Sequence, residues 1–278
     1  MTSIENAAVS SVVAGQLTLL DLLALTDVGP DRYRATAVFD EPEALYGGQV
    51  AAQALLAAGS AVAPDRQPHS LHGYYLRGGS AARPTDFHVE RDRDGRSFSV
   101  RRVVATQDDA VIFTLTASFH RQEPGQDRVD TDGPLVPPAE DLPVGRLPRL
   151  FSVESRVPPQ PFPGAVWPTR FWARCTIPLP ATPLVQACAL TYLSDISSGL
   201  LAWDDDEAAT GPSLDHALWF HRPARMDEWV LVDLVPRTIA GGRGWYDGGI
   251  RTADGALAVT IAQEALFRFG RRPPGWNS

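Results

Sequence analysis

The sequence contains no lysine: all 25 basic residues are arginine, set against 33 acidic ones, for a net charge of −8 over 278 residues. A general binder of nucleic acid or of anionic membranes needs a cationic face, so the charge balance argues against both. Cysteine is scarce, with only Cys175 and Cys188 and no Cys-x-x-Cys pair. That signals neither a disulfide scaffold nor a zinc site, and both thiols read as core residues. No run reaches the ~18 apolar residues of a membrane span. The most apolar N-terminal stretch, Leu17 to Leu25, is broken by Asp21 and has no basic flank before it, so it does not read as a signal peptide. A cytoplasmic location is the expectation. With 44% hydrophobic and 21% charged residues, the chain has enough apolar material for a sizeable core.

Gln16 to Leu25 has helical length and character, and Arg32 to Phe39 reads as a strand. After Gly47-Gly48-Gln49, the stretch Val50 to Val62 is almost wholly Ala, Leu and Val. Such a segment is a helix apolar on nearly every face, hence buried on all sides. Strand-like runs follow at His69 to Leu76, Asp86 to Arg91, Ser97 to Thr106 and Val111 to His120. Proline then crowds Gln122 to Pro168, which predicts an extended, irregular linker. Beyond it the first pattern returns. A strand at Trp172 to Ile177 and an apolar helix at Pro183 to Leu201 precede strands at Ser213 to Phe220, Trp229 to Ile239, Trp245 to Thr252 and Ala256 to Phe267. The turn Asp108-Asp109-Ala110 falls 146 residues before Asp254-Gly255-Ala256, a spacing that means two copies of one α+β domain. The expected division is an N-terminal domain over 1–121, a Pro-rich linker over 122–168 and a C-terminal domain over 169–278.

Six short motifs carry a resemblance. In the first half they are Tyr46-Gly47-Gly48-Gln49-Val50, His69-Ser70-Leu71-His72-Gly73-Tyr74-Tyr75-Leu76-Arg77 with Asp94-Gly95-Arg96-Ser97-Phe98, and Thr116-Ala117-Ser118-Phe119. In the second they are Tyr192-Leu193-Ser194-Asp195, Leu214-Asp215-His216 running on to Trp219-Phe220-His221-Arg222-Pro223, and Gln263-Glu264. In this order they resemble the type II acyl-CoA thioesterase family from roughly Gln16 to Phe269. The resemblance implies a double hotdog, each unit a long apolar helix wrapped by a curved antiparallel sheet. It also implies hydrolysis of fatty acyl-CoA to free acid and CoA, with no cofactor and no metal.

Carried over by motif, the implied catalytic residues are Asp195, Ser213 and Gln263. Ser stands where many relatives have Thr, and either hydroxyl offers one donor and two acceptor positions. A thioester is reactive enough for direct attack by a positioned water if a base takes the proton, a role that suits Asp195. Gly48 and Gln49, at the start of the first helix, are the oxyanion candidates. His69 is a candidate site-lining residue, and Arg101 stands with Arg77, Arg102, Arg121 and Arg222 as a candidate for the CoA phosphates. Leu55, Leu56, Tyr74, Phe98, Trp219 and Trp245 are candidates for the acyl tunnel, each equally readable as core.

Rival readings stand beside these. Asp195 followed by Ile196-Ser197-Ser198 also reads as a helix-ending polar turn, and Gln263 as a solvent-facing strand residue. A Ser213-His216-Asp215 relay is rejected, because neighbouring strand residues point to opposite faces and no Gly-x-Ser-x-Gly elbow is present. The alternatives in function are a thioesterase for acyl-carrier-protein or specialised acyl-CoA substrates, and a non-catalytic acyl-thioester-binding hotdog module. A homo-oligomer, dimer or tetramer, is expected from sheet-edge pairing.

Overall fold

Thr18 caps the first short helix, α1 (Leu19–Leu23): its hydroxyl accepts from the Asp21 amide, and its own amide donates back to Asp21 at 2.8 Å. The computed structural model describes residues 17–40, 44–129, 132–145, 147, 150–162, 168–196 and 208–269. The helix expected to run to Leu25 stops at Leu23, because Ala24 turns extended and Leu25 opens β1 (Leu25–Gly29). β2 (Arg32–Ala35) completes a hairpin with it, and ends before Val38 and Phe39, which enter the core instead.

α2 (Gly47–Ser60) is buried at every position from Gly48 to Gly59 except Leu56. Its alanines keep the backbone close to its neighbours, and Gln53 Nε2 donates to the Leu22 carbonyl at 2.6 Å, tying α2 to the end of α1. Four strands follow: β3 (Arg66–Tyr75), β4 (Thr85–Asp94), β5 (Phe98–Gln107) and β6 (Ala110–Arg121). The region expected to be an extended, irregular linker contributes β7 (Val144–Gly145), β8 (Val153–Arg156) and a 3-10 turn at Ala139–Asp141. This corrects the expected irregular linker: between its prolines the chain finds ladder partners, β8 pairing with β9 (Arg170–Cys175), and Trp172 Nε1 donating to the Pro137 carbonyl at 3.0 Å. α3 (Pro183–Ser194) begins with Pro183, where a missing amide costs nothing. The helix expected to run to Leu201 stops at Ser194, where Asp195 leaves helical geometry as the C-cap; Ser197 to Leu201 lie outside the described residues. β10 (Ala208–Phe220), β11 (Val230–Ala240), β12 (Arg243–Thr252) and β13 (Leu257–Phe269) complete the chain.

The strands form one sheet in the order β1-β2-β4-β5-β6-β3-β10-β13-β12-β11-β9-β8-β7, antiparallel at every pairing. The halves join at β3 and β10, where Ser70 lies opposite Trp219 and Tyr74 opposite Asp215. Outward from that join the order is β3-β6-β5-β4-β2 on one side and β10-β13-β12-β11-β9 on the other, so the internal repeat is visible as topology. α2 and α3 pack against each other, and one hydrophobic core runs through both halves, from Phe87 and Phe113 to Tyr192 and Leu218. Removing one such side chain from water contributes roughly 1.5–3 kcal/mol. This is the double hotdog arrangement. The β5–β6 turn has Asp108 and Asp109 at φ 47° and 62°, and the β11–β12 turn has Gly241 and Gly242 at 57° and 75°, the same left-handed pair that matches the twist of a two-residue hairpin.

Candidate active site

α3 ends at Ser194 and Asp195 is its C-cap, a poor place for a carboxylate, since helix C-termini present carbonyls and the negative end of the dipole. Asp195 is nonetheless only 4% exposed. Neighbouring elements supply what the cap cannot. Ser213, on β10, donates to Asp195 Oδ1 at 2.8 Å. Gln263, on β13, donates from Nε2 to Asp195 Oδ1 and to Ser213 Oγ, both at 2.6 Å. The β10–β13 ladder slips on both sides of Ser213, between Thr210 and Ser213 and between Ser213 and Asp215. Such a bulge re-aims a side chain. Here Ser213 meets Asp195, while Asp215 accepts from the Glu264 amide at 2.9 Å, so no Ser-His-Asp relay forms.

The first half closes the site from the other side. The N-terminus of α2 abuts the C-terminus of α3, and the Gly48 amide favours the charged form of the Asp195 carboxylate. A Cβ at Gly47 would overlap Asp195 Oδ2 and the ring of Tyr75, and one at Gly48 would overlap the Tyr192 carbonyl and the ring of Tyr46. Two glycines are therefore what lets the helix ends meet. Tyr46 adds a hydrogen bond to the Tyr192 carbonyl at 2.9 Å.

Burial pushes the Asp195 carboxyl above its ordinary range; the charge of His216, the bonds from Ser213 and Gln263 and the Gly48 amide pull the other way. His216 lies directly across the ladder from Gln263, and its Nε2 is 2.7 Å from Ser194 Oγ. Burial disfavours its charged form, against Asp195 and Gln263, which favour it. Beside this polar set, Tyr246 Oη approaches the Ile196 carbonyl at 3.5 Å. His216 and Ser194 were not expected in the site. His216 had read as a strand residue because β10 alone does not reveal which of its alternating positions lies beside Gln263.

Of the seven residues expected to form the site, the structure joins Asp195, Ser213 and Gln263 by hydrogen bonds and sets Gly48 beside them at the start of α2. The other three are engaged elsewhere. The Gln49 amide donates to the Tyr46 carbonyl at 3.0 Å, within the first turn of α2. His69 is 2.8 Å from Ser118 Oγ and packs on the rings of Phe98 and His120. Arg101, 1% exposed, points inward under the end of α2. It donates to the Ala61 carbonyl at 2.9 and 3.1 Å, to the Arg93 and Val100 carbonyls, and to Asp94 at 2.7 Å. This corrects its assignment to CoA: the free carbonyls at a helix end have taken its donors. Arg77, Arg102, Arg121 and Arg222 likewise have protein partners. Among the tunnel candidates Leu55 is wholly in the core, whereas Tyr74 and Phe98 are exposed. Among the described residues, no group of three or more His, Cys, Asp or Glu could hold a metal ion, and no helix is long and apolar enough to cross a membrane.

The sequence matches the family model of the acyl-CoA thioesterase N-terminal domain over residues 35–120 and that of the C-terminal domain over residues 130–267. The chain belongs to the acyl-CoA thioesterase family. Acyl-coenzyme A thioesterase 8 of Mus musculus is 34% identical over 280 residues, covering 89% of this chain and 88% of its own. Acyl-CoA thioesterase 2 of Haemophilus influenzae is 34% identical over 251 residues, covering 81% and 88%. The crystal structure of the acyl-CoA thioesterase II TesB2 from Mycobacterium marinum superposes with a TM-score of 0.77 at 37% identity, covering 93% of this chain and 99% of that one. A hotdog-fold protein from Alicyclobacillus acidocaldarius, 20% identical with a TM-score of 0.69 over 89% of this chain and 97% of its own, shares the fold. In this member of the acyl-CoA thioesterase family the two family domains meet at β3 and β10, and the polar cluster lies where the helix of one approaches the helix of the other.

Proposed function

We propose that this thioester hydrolase cleaves acyl-CoA to the free acid and CoA, with Asp195 as general base and Ser213 and Gln263 holding the attacking water. The observation that carries the reading is the closed, buried triangle of hydrogen bonds among these three side chains. A buried carboxyl pushed above its ordinary range is a stronger base than an exposed one. In the step proposed, water oxygen bonds to the thioester carbon as Asp195 takes a water proton, and the carbonyl π pair moves onto oxygen. Collapse of that intermediate breaks the C–S bond, and the departing thiolate takes the proton from Asp195. General acid-base assistance of this kind contributes about 10²–10⁴-fold.

In the same reading, 1–121 and 169–278 are the two hotdog domains and the second owns the base and the water-holding residues, while the first lends the Gly48 amide. Each domain wraps its sheet around one central apolar helix. The substrates are fatty acyl-CoAs, which places the protein in lipid metabolism, and the cytoplasm is its compartment. Copies associate as a dimer or tetramer through sheet edges; a monomer mass by light scattering would reject that.

Release of CoA from a panel of straight, branched and aromatic acyl-CoA esters tests the function. Turnover of at least one ester is expected, with the preferred chain naming the substrate class. Turnover of carrier-protein thioesters alone would move the substrate to that class. Tight binding of an ester without turnover of any would make the protein a binding module.

A further inference from the structure

Three of the buried side-chain polar atoms that lack a hydrogen-bond partner among the described residues belong to this one region: Tyr75 Oη, His216 Nδ1 and Gln263 Oε1. The histidine and glutamine atoms belong to residues directly across the β10–β13 ladder. Tyr75 is different. It lies on β3 in the other half of the molecule, with its ring against Phe113 at 4.8 Å and over the start of α2. A methyl group placed on Gly47 would touch both its ring and Asp195 Oδ2, so phenol and carboxylate flank the same few ångströms of space. The ring is partly accessible but the hydroxyl is enclosed. An enclosed hydroxyl without a partner is destabilising, and a phenylalanine here would avoid that cost. Burial and the nearby Asp195 also hold the phenol well above its ordinary range, so it keeps its proton.

The reaction needs a donor at this place. The developing oxyanion must accept hydrogen bonds, yet of the two backbone amides expected to give them, that of Gln49 is engaged with the Tyr46 carbonyl and that of Gly48 acts on the Asp195 carboxylate. The neighbouring tyrosines are engaged as well, Tyr46 with the Tyr192 carbonyl and Tyr246 with that of Ile196. We propose that Tyr75 is a catalytic residue whose phenolic O–H donates to the thioester carbonyl oxygen of the substrate and to the oxyanion that forms from it. This rests on the thioesterase reading above. The hydroxyl transfers no proton: it holds the negative charge as the C–O bond forms, and is released when the C–S bond breaks. Its bond to the reacting oxygen strengthens as charge develops, so its contribution falls on kcat.

Tyr75→Phe and Asp195→Asn, each in the full chain, test this with an acyl-CoA that the parent hydrolyses. Tyr75→Phe is expected to lower kcat at least tenfold, toward the roughly 10²–10³-fold typical of losing one oxyanion donor, with KM within about twofold and a thermal midpoint at or above the parent's. A folded Tyr75→Phe protein with parental kcat, or with its loss confined to KM, overturns the proposal while leaving the function intact. Full activity in Asp195→Asn overturns the base assignment instead. A second readout does not depend on turnover. Asp195→Asn loaded with carbonyl-¹³C acyl-CoA is expected to show the C=O stretch lowered from its solution frequency, and Asp195→Asn with Tyr75→Phe to show it moved back. An unchanged band in the double variant overturns the proposal.

Discussion

The two halves place the same backbone around their helix ends and fill it with opposite chemistry. In the second half one row across three strands reads His216, Gln263, Tyr246. In the first half the corresponding row reads Leu71, Ala117, Arg101. The helix caps differ likewise, Asp195 on α3 and Ala61 on α2. The inward residue of the third strand, Arg101 or Tyr246, approaches a carbonyl at the helix end in both. The first half thus satisfies its helix terminus with a buried guanidinium and closes the space with Leu and Ala. The second leaves its helix terminus with a carboxylate and surrounds it with donors. Fold repetition supplies the frame, and three or four side chains decide which copy carries the buried polar cluster.

The comparison can be broken from either side. The largest effect is expected from Asp195→Asn, a loss of about 10²–10⁴-fold in kcat/KM for CoA release, the range for removing a general base. Gln263→Ala installs the residue of the first half, Ala117, at the matching place. It should lower kcat about a hundredfold, because the water and Asp195 lose a common donor, as steady-state kinetics would show. From the other side, Arg101→Met removes the cap of α2. A loss of about 2–4 kcal/mol in urea unfolding is expected from the carbonyls and Asp94 left behind, with kcat of the folded fraction nearly parental. Smaller is His216→Leu, which copies Leu71. It is expected to reduce kcat roughly tenfold and to shift the acid limb of the pH profile upward, since the imidazole helps hold Asp195 in its charged form.

The smallest effect sharpens the comparison through pH. Burial raises the pKa of Asp195 in the folded chain above its unfolded value, so the folded state holds that proton more tightly. The resulting stabilisation is complete below the ordinary carboxylate range and is lost as pH rises through the raised folded value. Asp195→Asn cannot ionise, so its thermal midpoint should gain on the parent's as pH rises from the ordinary carboxylate range through that raised value. Across the same interval parental kcat/KM should rise, as the base ionises.

How much of this was legible in the sequence depended on length and on facing. α2 could be read from composition, because a run of Ala, Leu and Val with no polar face has only one soluble fate. Most strands of β3 to β6 and β10 to β13 could be read from their alternation to within a few residues. β1, β7 and β8 could not: strands of five, two and four residues leave too little pattern, and proline masked the latter two. Asp195, Ser213 and Gln263 were reachable only through family motifs. Taken alone each has an ordinary alternative, and the bulge that turns Ser213 toward Asp195 has no sequence mark. Arg101 was misjudged because a strand arginine is a surface residue in most settings, and only register shows that this one points under a helix end. Tyr74 and Tyr75 show the same limit: adjacent and chemically alike, one is 60% exposed while the hydroxyl of the other is enclosed beside Asp195.

The central claim is that Asp195 activates water instead of attacking the thioester itself. Single-turnover hydrolysis in H₂¹⁸O, with enzyme in excess over acyl-CoA, tests it directly. The account predicts ¹⁸O in the acid released in that first turnover and no label in the peptide containing Asp195. Unlabelled acid together with ¹⁸O in the Asp195 carboxylate would contradict it, because the oxygen would then have come from an acyl-aspartyl intermediate.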